Sequence, residues 1–538
     1  MGQARMSAPG KGPGKGPGKG PGKGPGMLAA LGQIGGLTAI SRVLGFIRDI
    51  LIAIFIGAGP LADAFFIAFK LPNLFRRLTA EGAMTNAFMP AYARARKAGE
   101  DAAAALAADV QITLLWALVL ITLLIELAMP VVISLLAPGF DPAGPRYQQA
   151  IDLARLTMPF LPMISLVAFW AAITNAHNRF VGGAAAPVIL NICLIGGALG
   201  CGIAASSGAV PLALAVPVAG VFQLLFMMLM LQRIGKMPSW RWLPQLLEPA
   251  RRMWRQFLSA ALAAGAMQIN LLVDTILASL LPAGAIAGLY YADRIAQLPL
   301  GIIGIALGTA LLPRLSHLEA ADDAQGVGRV LARGSQTGLF FALPAAVAAV
   351  ILAEPIIAGL FAYGAFSPDR VNDVAMILIA YAIGIPAFVL AKIIQPAFFA
   401  ANDPQTPLRV ALLTIGVNII LSISLMRVFG AAGIALATSL ASWLSVLIMA
   451  VLLFRRDRLD RSAGETLLRV VLATAIMAAV LGFGMVMTAL AEGVLGIAFF
   501  RLLVLVLVGL GVYLIVARML GAWPKDERLE DTAAQPGA

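Results

Sequence analysis

From residue 27 to about residue 520 the chain alternates long apolar runs with short polar interruptions. Crossing a hydrocarbon core of about 30 Å takes roughly 20 apolar residues at 1.5 Å each, and the runs have that length. The pattern predicts about fourteen transmembrane helices, over 27–57, 61–92, 103–138, 147–177, 181–206, 209–234, 252–281, 284–317, 326–362, 370–400, 405–427, 431–455, 465–491 and 495–520. No interval between them could house a soluble domain. The expected fold class is an all-α polytopic membrane protein.

A repeat refines the picture. Phe65-Phe66 precedes Leu71-Pro72 and then Phe88-Met89-Pro90 at a basic exit, while Tyr290-Tyr291 precedes Leu298-Pro299 and then Leu311-Leu312-Pro313 at another. The second and eighth helices are thus six apart and run the same way. This predicts two six-helix lobes in a parallel repeat around a central cavity, an arrangement many transporters use. The lobes are expected at 27–240 and 241–460, with two extra C-terminal helices in 461–522 and a cytoplasmic tail at 523–538. Residues 1–26 repeat Lys-Gly-Pro-Gly and have no apolar stretch; they read as a disordered basic tail, not a signal peptide.

Composition agrees: of 538 residues, 60% are hydrophobic and 12% charged, with a mean hydropathy of +0.90. The net charge of +12 would suggest nucleic acid as a partner of a soluble protein, but here basic loops account for it and no nucleic acid is expected. Arg94, Arg96, Lys97, Arg179, Arg233, Lys236, Arg241, Arg314, Arg329, Arg333, Arg455 and Arg456 fall in alternate loops, and Arg146, Arg370 and Arg427 are the few exceptions. The positive-inside rule then puts both termini in the cytoplasm. Cys193 and Cys201 share one apolar helix, which argues against a disulfide framework. With no phosphate-cradling Gly-rich loop and no catalytic triad in the sequence, the expectation is a transporter and not an enzyme.

The candidate chemistry lies in charges within the spans. An arginine at a helix centre costs roughly 2.5–3.5 kcal/mol to insert and usually faces a bundle interior or a wet cavity. Arg42, Arg48, Arg76, Arg77, Arg294 and Lys392 are so placed, and the acids Asp49, Asp63, Glu81 and Asp293 are fewer. The surplus predicts a cavity for an anion, and a planar guanidinium suits a diphosphate in particular. The bland alternative has Arg48, Arg76 and Arg77 near the surface, snorkelling to lipid phosphate.

These stretches also carry a resemblance. Ser41-Arg42-Val43-Leu44-Gly45-Phe46-Ile47-Arg48-Asp49, Asp63-Ala64-Phe65-Phe66, Lys70-Leu71-Pro72-Asn73-Leu74-Phe75-Arg76-Arg77, Ala80-Glu81-Gly82-Ala83 and Tyr290-Tyr291-Ala292-Asp293-Arg294 closely resemble the MurJ (MviN) family. The resemblance runs from about Met27 to about Leu520. It implies a lipid II flippase of the bacterial cytoplasmic membrane, within the multidrug/oligosaccharidyl-lipid/polysaccharide exporter superfamily, serving peptidoglycan synthesis. It also implies that Arg42, Arg48, Arg76, Arg77 and Arg294 line a diphosphate-binding cavity, that Asp63 is functional, and that the last two helices form a groove for the lipid tail. The implied partners are lipid II, membrane lipids and cell-wall synthases.

A family sodium site corresponds to Asp274, Asn418, Ser422, the Ile434 backbone and Thr438, with Ser422 standing where some members have a second carboxylate. Sodium and the membrane potential are the implied energy sources. Three rivals stay open at this stage. A flippase for another polyprenyl-diphosphate sugar differs only in the family motifs. An ion-coupled drug exporter should carry acids, not arginines, in its cavity. An intramembrane transferase would need an acidic cluster, for which Asp49, Asp63 and Glu81 are the candidates.

Overall fold

The computed structural model describes residues 27–79, 83–204, 208–456, 464–490 and 498–524. Every regular element among them is helical. In chain order these are α1 (Met27–Ile56), α2 (Pro60–Thr79), α3 (Ala83–Ala98), α4 (Glu100–Leu127), α5 (Met129–Leu136), α6 (Pro145–Thr157), α7 (Phe160–Ala176), α8 (Val181–Ile203), α9 (Val210–Arg233) and α10 (Glu248–Ser279). There follow α11 (Ala285–Pro299), a π-helical turn (Leu300–Gly304), α12 (Ile305–Ala320), α13 (Ala324–Ile351), α14 (Ala353–Phe361), α15 (Arg370–Ala382), α16 (Ile385–Ala400), α17 (Gln405–Phe429), α18 (Ala431–Arg455), α19 (Gly464–Leu490) and α20 (Ala498–Met519).

Joined end to end where only a break separates them, these helices make the expected rods. Ten spans among the described residues are long and apolar enough to cross a membrane. Outside these spans, α1, α2, α3, α10, α11 and α12 hold most of the intramembrane charges. Several breaks fall beside prolines, which lack an N–H and disfavour a helical residue before them. Pro130 opens α5, Pro386 opens α16, and Pro299 meets the π-helical turn. Expected helix starts move where a cap intervenes: α13 begins at Ala324 because the Asp323 carboxylate accepts from Gly326 N at 2.7 Å.

Packing divides the rods into two lobes. In lobe 1, α1 packs on α8, α8 on α9, α9 on α7, and α2 on α6; in lobe 2, α17 packs on α18, α15 on α18, α13 and α12 on α16, and α11 on α15. The lobes meet where α10 lies against α2 and α3 and where α11 meets α2. There the repeat closes on itself: the Phe66 and Tyr290 rings stack at 3.9 Å and Tyr291 meets Phe66 edge-on at 5.4 Å. Two stretches that match in sequence thus face each other across the seam.

α19 and α20 stand outside this arrangement. Val470, Ala473, Met477, Leu481, Leu505 and Tyr513 form a separate apolar core with Phe340 and Leu352, and the Tyr513 hydroxyl donates to the Phe340 carbonyl at 2.5 Å. Among the described residues the pair is therefore pinned to lobe 2. The loops after α3, α7, α9, α12, α16 and α18 share one end of the bundle, its basic end.

Candidate substrate site at the lobe seam

The charged cluster begins on α1. Arg48 and Asp49 are 8% and 2% exposed, so neither charge can be left to water. Although adjacent helix positions do not normally face each other, the long Arg48 side chain turns back. Its Nη2 and Nε lie 2.7 and 2.9 Å from Asp49 Oδ1. Nη1 donates to Asn191 Oδ1 on α8 at 2.8 Å, and Asn191 is itself fixed by its own donation to the Ser41 carbonyl at 2.8 Å.

The same carboxylate reaches lobe 2. Tyr290 OH donates to Asp49 Oδ1 at 3.0 Å, and Arg294 Nε lies 3.5 Å from Asp49 Oδ2. The Arg294 guanidinium also sits over the Tyr290 ring, 4.7 Å from its centroid. Two arginines therefore share one carboxylate. The Arg294 side chain stays 37% exposed, which leaves a cationic face open at the seam.

The other predicted cations are engaged differently. Arg42 donates to the carbonyl of Gly301 in the π-helical turn, and π-turns leave carbonyls without their regular partner. A Cβ on Gly301 would stand 3.0 Å from Arg42 Nη1, so glycine makes room for the guanidinium. Exposed Lys392 passes the same glycine face, its Cγ 3.6 Å from where a Gly304 Cβ would be. Arg76 Nε donates to Asn73 Oδ1 at 3.2 Å. Asp293 turns to its own helix, accepting from Gln297 at 2.5 Å. The Arg77 side chain and Glu81 lie outside the described residues.

Asp63 is not part of this cluster. It sits at the end opposite the basic loops, fully buried, where its Oδ2 accepts from Gly284 N at 2.7 Å and its Oδ1 from Ala287 N at 2.9 Å. A lobe 1 carboxylate thus caps the first turn of α11 in lobe 2, satisfying amides that have no partner within their own helix. Arg146 approaches Asp63 Oδ2 at 3.8 Å, donates to the Ser279 carbonyl at 3.1 Å, and stacks over Phe140. Tyr291 OH donates to the Gly57 carbonyl and Ala365 N to the Ile54 carbonyl. Gly57 has φ +73 and a Cβ there would lie 2.4 Å from Ala365 O; Gly284 has φ +97 and its Cβ would lie 2.4 Å from Ala58 O. This end of the seam is locked shut. The lock also explains two exceptions to the charge pattern of the loops: Arg146 serves Asp63, and the Arg370 guanidinium lies against Gly284 while pairing with Asp373 at 3.4 Å.

Of the five positions matched to sodium, three join. Asn418 Nδ2 lies 3.5 Å from Asp274 Oδ1, and Ser422 Oγ lies 3.4 Å from Asn418 Oδ1. Asn270, not foreseen, accepts from Asn418 at 2.6 Å. Thr438 instead donates to the Ile434 carbonyl at 3.2 Å, which ties those two to each other on α18. A small hard cation wants a shell of oxygens, and the Asn418 amide nitrogen turned toward Asp274 and Asn270 does not supply one. Among the described residues no three His, Cys, Asp or Glu gather as a metal cluster.

Sequence reasoning gave no role to Asn191 or Asn270. Asn191 had a usable signal, since it is a polar residue within the otherwise apolar α8.

Comparison with known proteins decides the family. The pattern described as lipid II flippase MurJ matches residues 52–504. This chain belongs to the MurJ family. It is 37% identical over 508 residues to the probable lipid II flippase MurJ of Rhizobium tropici, covering 91% of this chain and 93% of that one. Against the protein of the same name in Rhizobium meliloti strain 1021 it is 38% identical over 462 residues, covering 85% and 86%. Among solved structures it superposes on a lipid II flippase MurJ in an inward closed conformation with TM-score 0.76 at 27% identity, covering 90% of this chain and 98% of that one. A multidrug resistance transporter of the MATE family, facing inward, superposes with TM-score 0.65 at 16% identity over 80% of this chain and 98% of that one. That likeness shows a shared fold alone. As a MurJ family member the chain is a multi-pass protein of the inner membrane.

Proposed function

We propose that this chain moves lipid II from the inner to the outer leaflet of the cytoplasmic membrane by alternating access, for peptidoglycan synthesis. The observation that carries the reading is the pair Arg48 and Arg294 sharing Asp49 across the lobe seam. A single carboxylate cannot neutralise two guanidiniums, and the remaining positive face suits a diphosphate. Arginine keeps its charge when desolvated and offers paired N–H donors to phosphate oxygens.

In this reading the basic end and both termini are cytoplasmic, and the Asp63 lock is the outer gate. With that gate shut, the headgroup enters from the cytoplasmic side, and Arg48, Arg294, Arg42, Arg76, Arg77 and Lys392 provide the positive field that receives it. The diphosphate competes with Asp49 for Arg294, which loosens the bond between lobes at their centre. Rocking then breaks the Asp63 cap and opens the seam outward. The lipid tail stays in the bilayer along α19 and α20. Sodium coupling through Asp274, Asn418 and Ser422 would require the Asn418 amide to turn its oxygen toward Asp274. The membrane potential adds about 2.3 kcal/mol per charge per 100 mV. No covalent step is assigned to any residue, and cell-wall synthases that consume the product are the expected protein partners.

The test is translocation in proteoliposomes containing the purified chain. Fluorescent lipid II should cross, under an imposed potential and sodium gradient, faster than in empty vesicles. Preference for another polyprenyl-diphosphate sugar, export of a cationic drug, or chemical turnover of the lipid would each overturn the assignment.

A further inference from the structure

Asn191 is the one amide of α8, a helix with no hydroxyl or charged side chain, and it is buried against α1. Ser41, Gly45 and Arg48 share the face of α1 that meets it. Asn191 Nδ2 donates to the Ser41 carbonyl at 2.8 Å and lies 3.3 Å from the Ser41 hydroxyl, while Oδ1 accepts from Arg48 Nη1 at 2.8 Å. A carbonyl only accepts and a guanidinium only donates, so the amide has a single orientation. Gly45 puts no side chain between them; a Cβ there would lie 3.5 Å from Asn191 Nδ2. All of these contacts lie within lobe 1, whereas Tyr290 and Arg294 approach Asp49 from lobe 2.

We propose that Asn191 sets the charge of the substrate site: it is a neutral holder that fixes the Arg48 guanidinium without neutralising it. The trio of Arg48, Asp49 and Arg294 thereby keeps one surplus positive charge for the diphosphate. The inference rests on the reading of Arg48 and Arg294 as a diphosphate site given above. A buried guanidinium needs its N–H groups paired, and a carboxylate would pair them more strongly than an amide does. It would also cancel the charge. With a carboxylate at position 191, Arg48 would have a counter-ion of its own and Asp49 would be left to Arg294, two acids for two guanidiniums. The lobes would then be tied more tightly at their centre, and the headgroup would meet a neutral trio. Asp293, next to Arg294 in sequence, is engaged by Gln297 of its own helix. Because the holder and its anchor both belong to lobe 1, Arg48 keeps its direction when rocking carries Tyr290 and Arg294 away. It presents the same face to the headgroup in either state.

The test is the dissociation constant of undecaprenyl diphosphate for the purified full chain in nanodiscs of zwitterionic lipid, measured beside the melting temperature. Asn191→Asp keeps the contact to Arg48, and the Ser41 hydroxyl at 3.3 Å can donate to its second oxygen, so the melting temperature should hold. Binding should nevertheless weaken at least about tenfold, the step between a neutral and a charge-assisted contact at Arg48. A packing role alone would move the two readouts together. Adding Asp49→Asn to Asn191→Asp returns the trio to one carboxylate, and this double variant should recover the binding that the single one loses. Unchanged binding in Asn191→Asp, with Arg294→Ala weakening it, overturns the holder and leaves the diphosphate site standing. Unchanged binding in both overturns the site reading together with the inference. Should Asn191→Asp alone fail to fold, the double variant decides: binding near the wild-type level supports the charge count, and binding still lost in a folded double variant overturns it.

Discussion

Replacing Asp63 with Asn should unlatch the seam at the end opposite the basic loops. The buried carboxylate accepts one hydrogen bond from Gly284 N and one from Ala287 N, and Arg146 adds charge at 3.8 Å. A hydrogen bond to a charged group contributes about 1.5–3 kcal/mol net. Asparagine can accept only one of the two and presents its own N–H to the other amide. It also leaves Arg146 facing a neutral partner in a half-buried setting. Losing one charged bond costs roughly 2–3 kcal/mol, a shift of about 30- to 150-fold in the equilibrium between shut and open seam. Hydrogen exchange reads this directly, since protected amides exchange through opening. A peptide spanning 281–290 should exchange faster by that factor in Asp63→Asn, while peptides within α8 and α9 should be unaffected. Unchanged exchange at 281–290 would refute the reasoning, because the two amides would then owe their protection to something other than Asp63.

Other parts of the structure make separate predictions. Asp109 on α4 is fully buried and accepts from the backbone N–H of Gln245, Leu246 and Leu247 at 2.6, 3.0 and 2.8 Å, which moors the connector between the lobes and caps α10; Asp109→Ala should cost about 3 kcal/mol or more, seen as a lower melting temperature. Gly301→Ala would bring a methyl to 3.0 Å from Arg42 Nη1. The guanidinium should be displaced from the Gly301 carbonyl, and translocation should slow more than the melting temperature falls. Asp403, in the loop before α17, is held at about 2 first by its hydrogen bond to Arg456 and then by the Thr406 hydroxyl. Its folded value lies below its unfolded one. The stability it contributes is therefore complete above about pH 4 and is lost as pH falls from there toward 2. Thermal melts of Asp403→Asn should show less acid sensitivity than wild type in that window and no added sensitivity above it.

Much of the fold was legible because the bilayer imposes one length on every span. A run of about twenty apolar residues is hard to read otherwise, and the pairing of Phe65-Phe66 with Tyr290-Tyr291 already marked the faces that meet at 3.9 Å. Less visible were breaks inside spans. The stretch 103–138 reads as one helix, yet the chain divides near Ala128 where Pro130 opens α5, and a single proline in a membrane helix is too common to announce a break. At the site, the excess of cations was plain in the sequence, but the assignment of partners was not. Arg48 finds Asn191 across 143 positions, and Asp63 finds Gly284 across 221. Asp63 shows why this matters: grouped with Asp49 by composition, it stands at the far end of the seam as a cap, while Asp49 is the internal partner of two arginines. Nothing local in either stretch separates the two roles, since only packing of the lobes decides which amides or guanidiniums each carboxylate meets.

The central claim is that the arginine face shared across the lobes by way of Asp49 carries the diphosphate. Translocation of fluorescent lipid II in proteoliposomes, comparing wild type with Arg294→Ala and Arg294→Lys at matched protein levels and melting temperatures, tests it most directly. Arg294→Ala should lose translocation at least about 100-fold, near 3 kcal/mol and of the size expected for a charge-assisted contact, with Arg294→Lys recovering only part because it lacks the planar fork. Full translocation by a folded Arg294→Ala would contradict the account and reduce the cluster to a structural tie between the lobes.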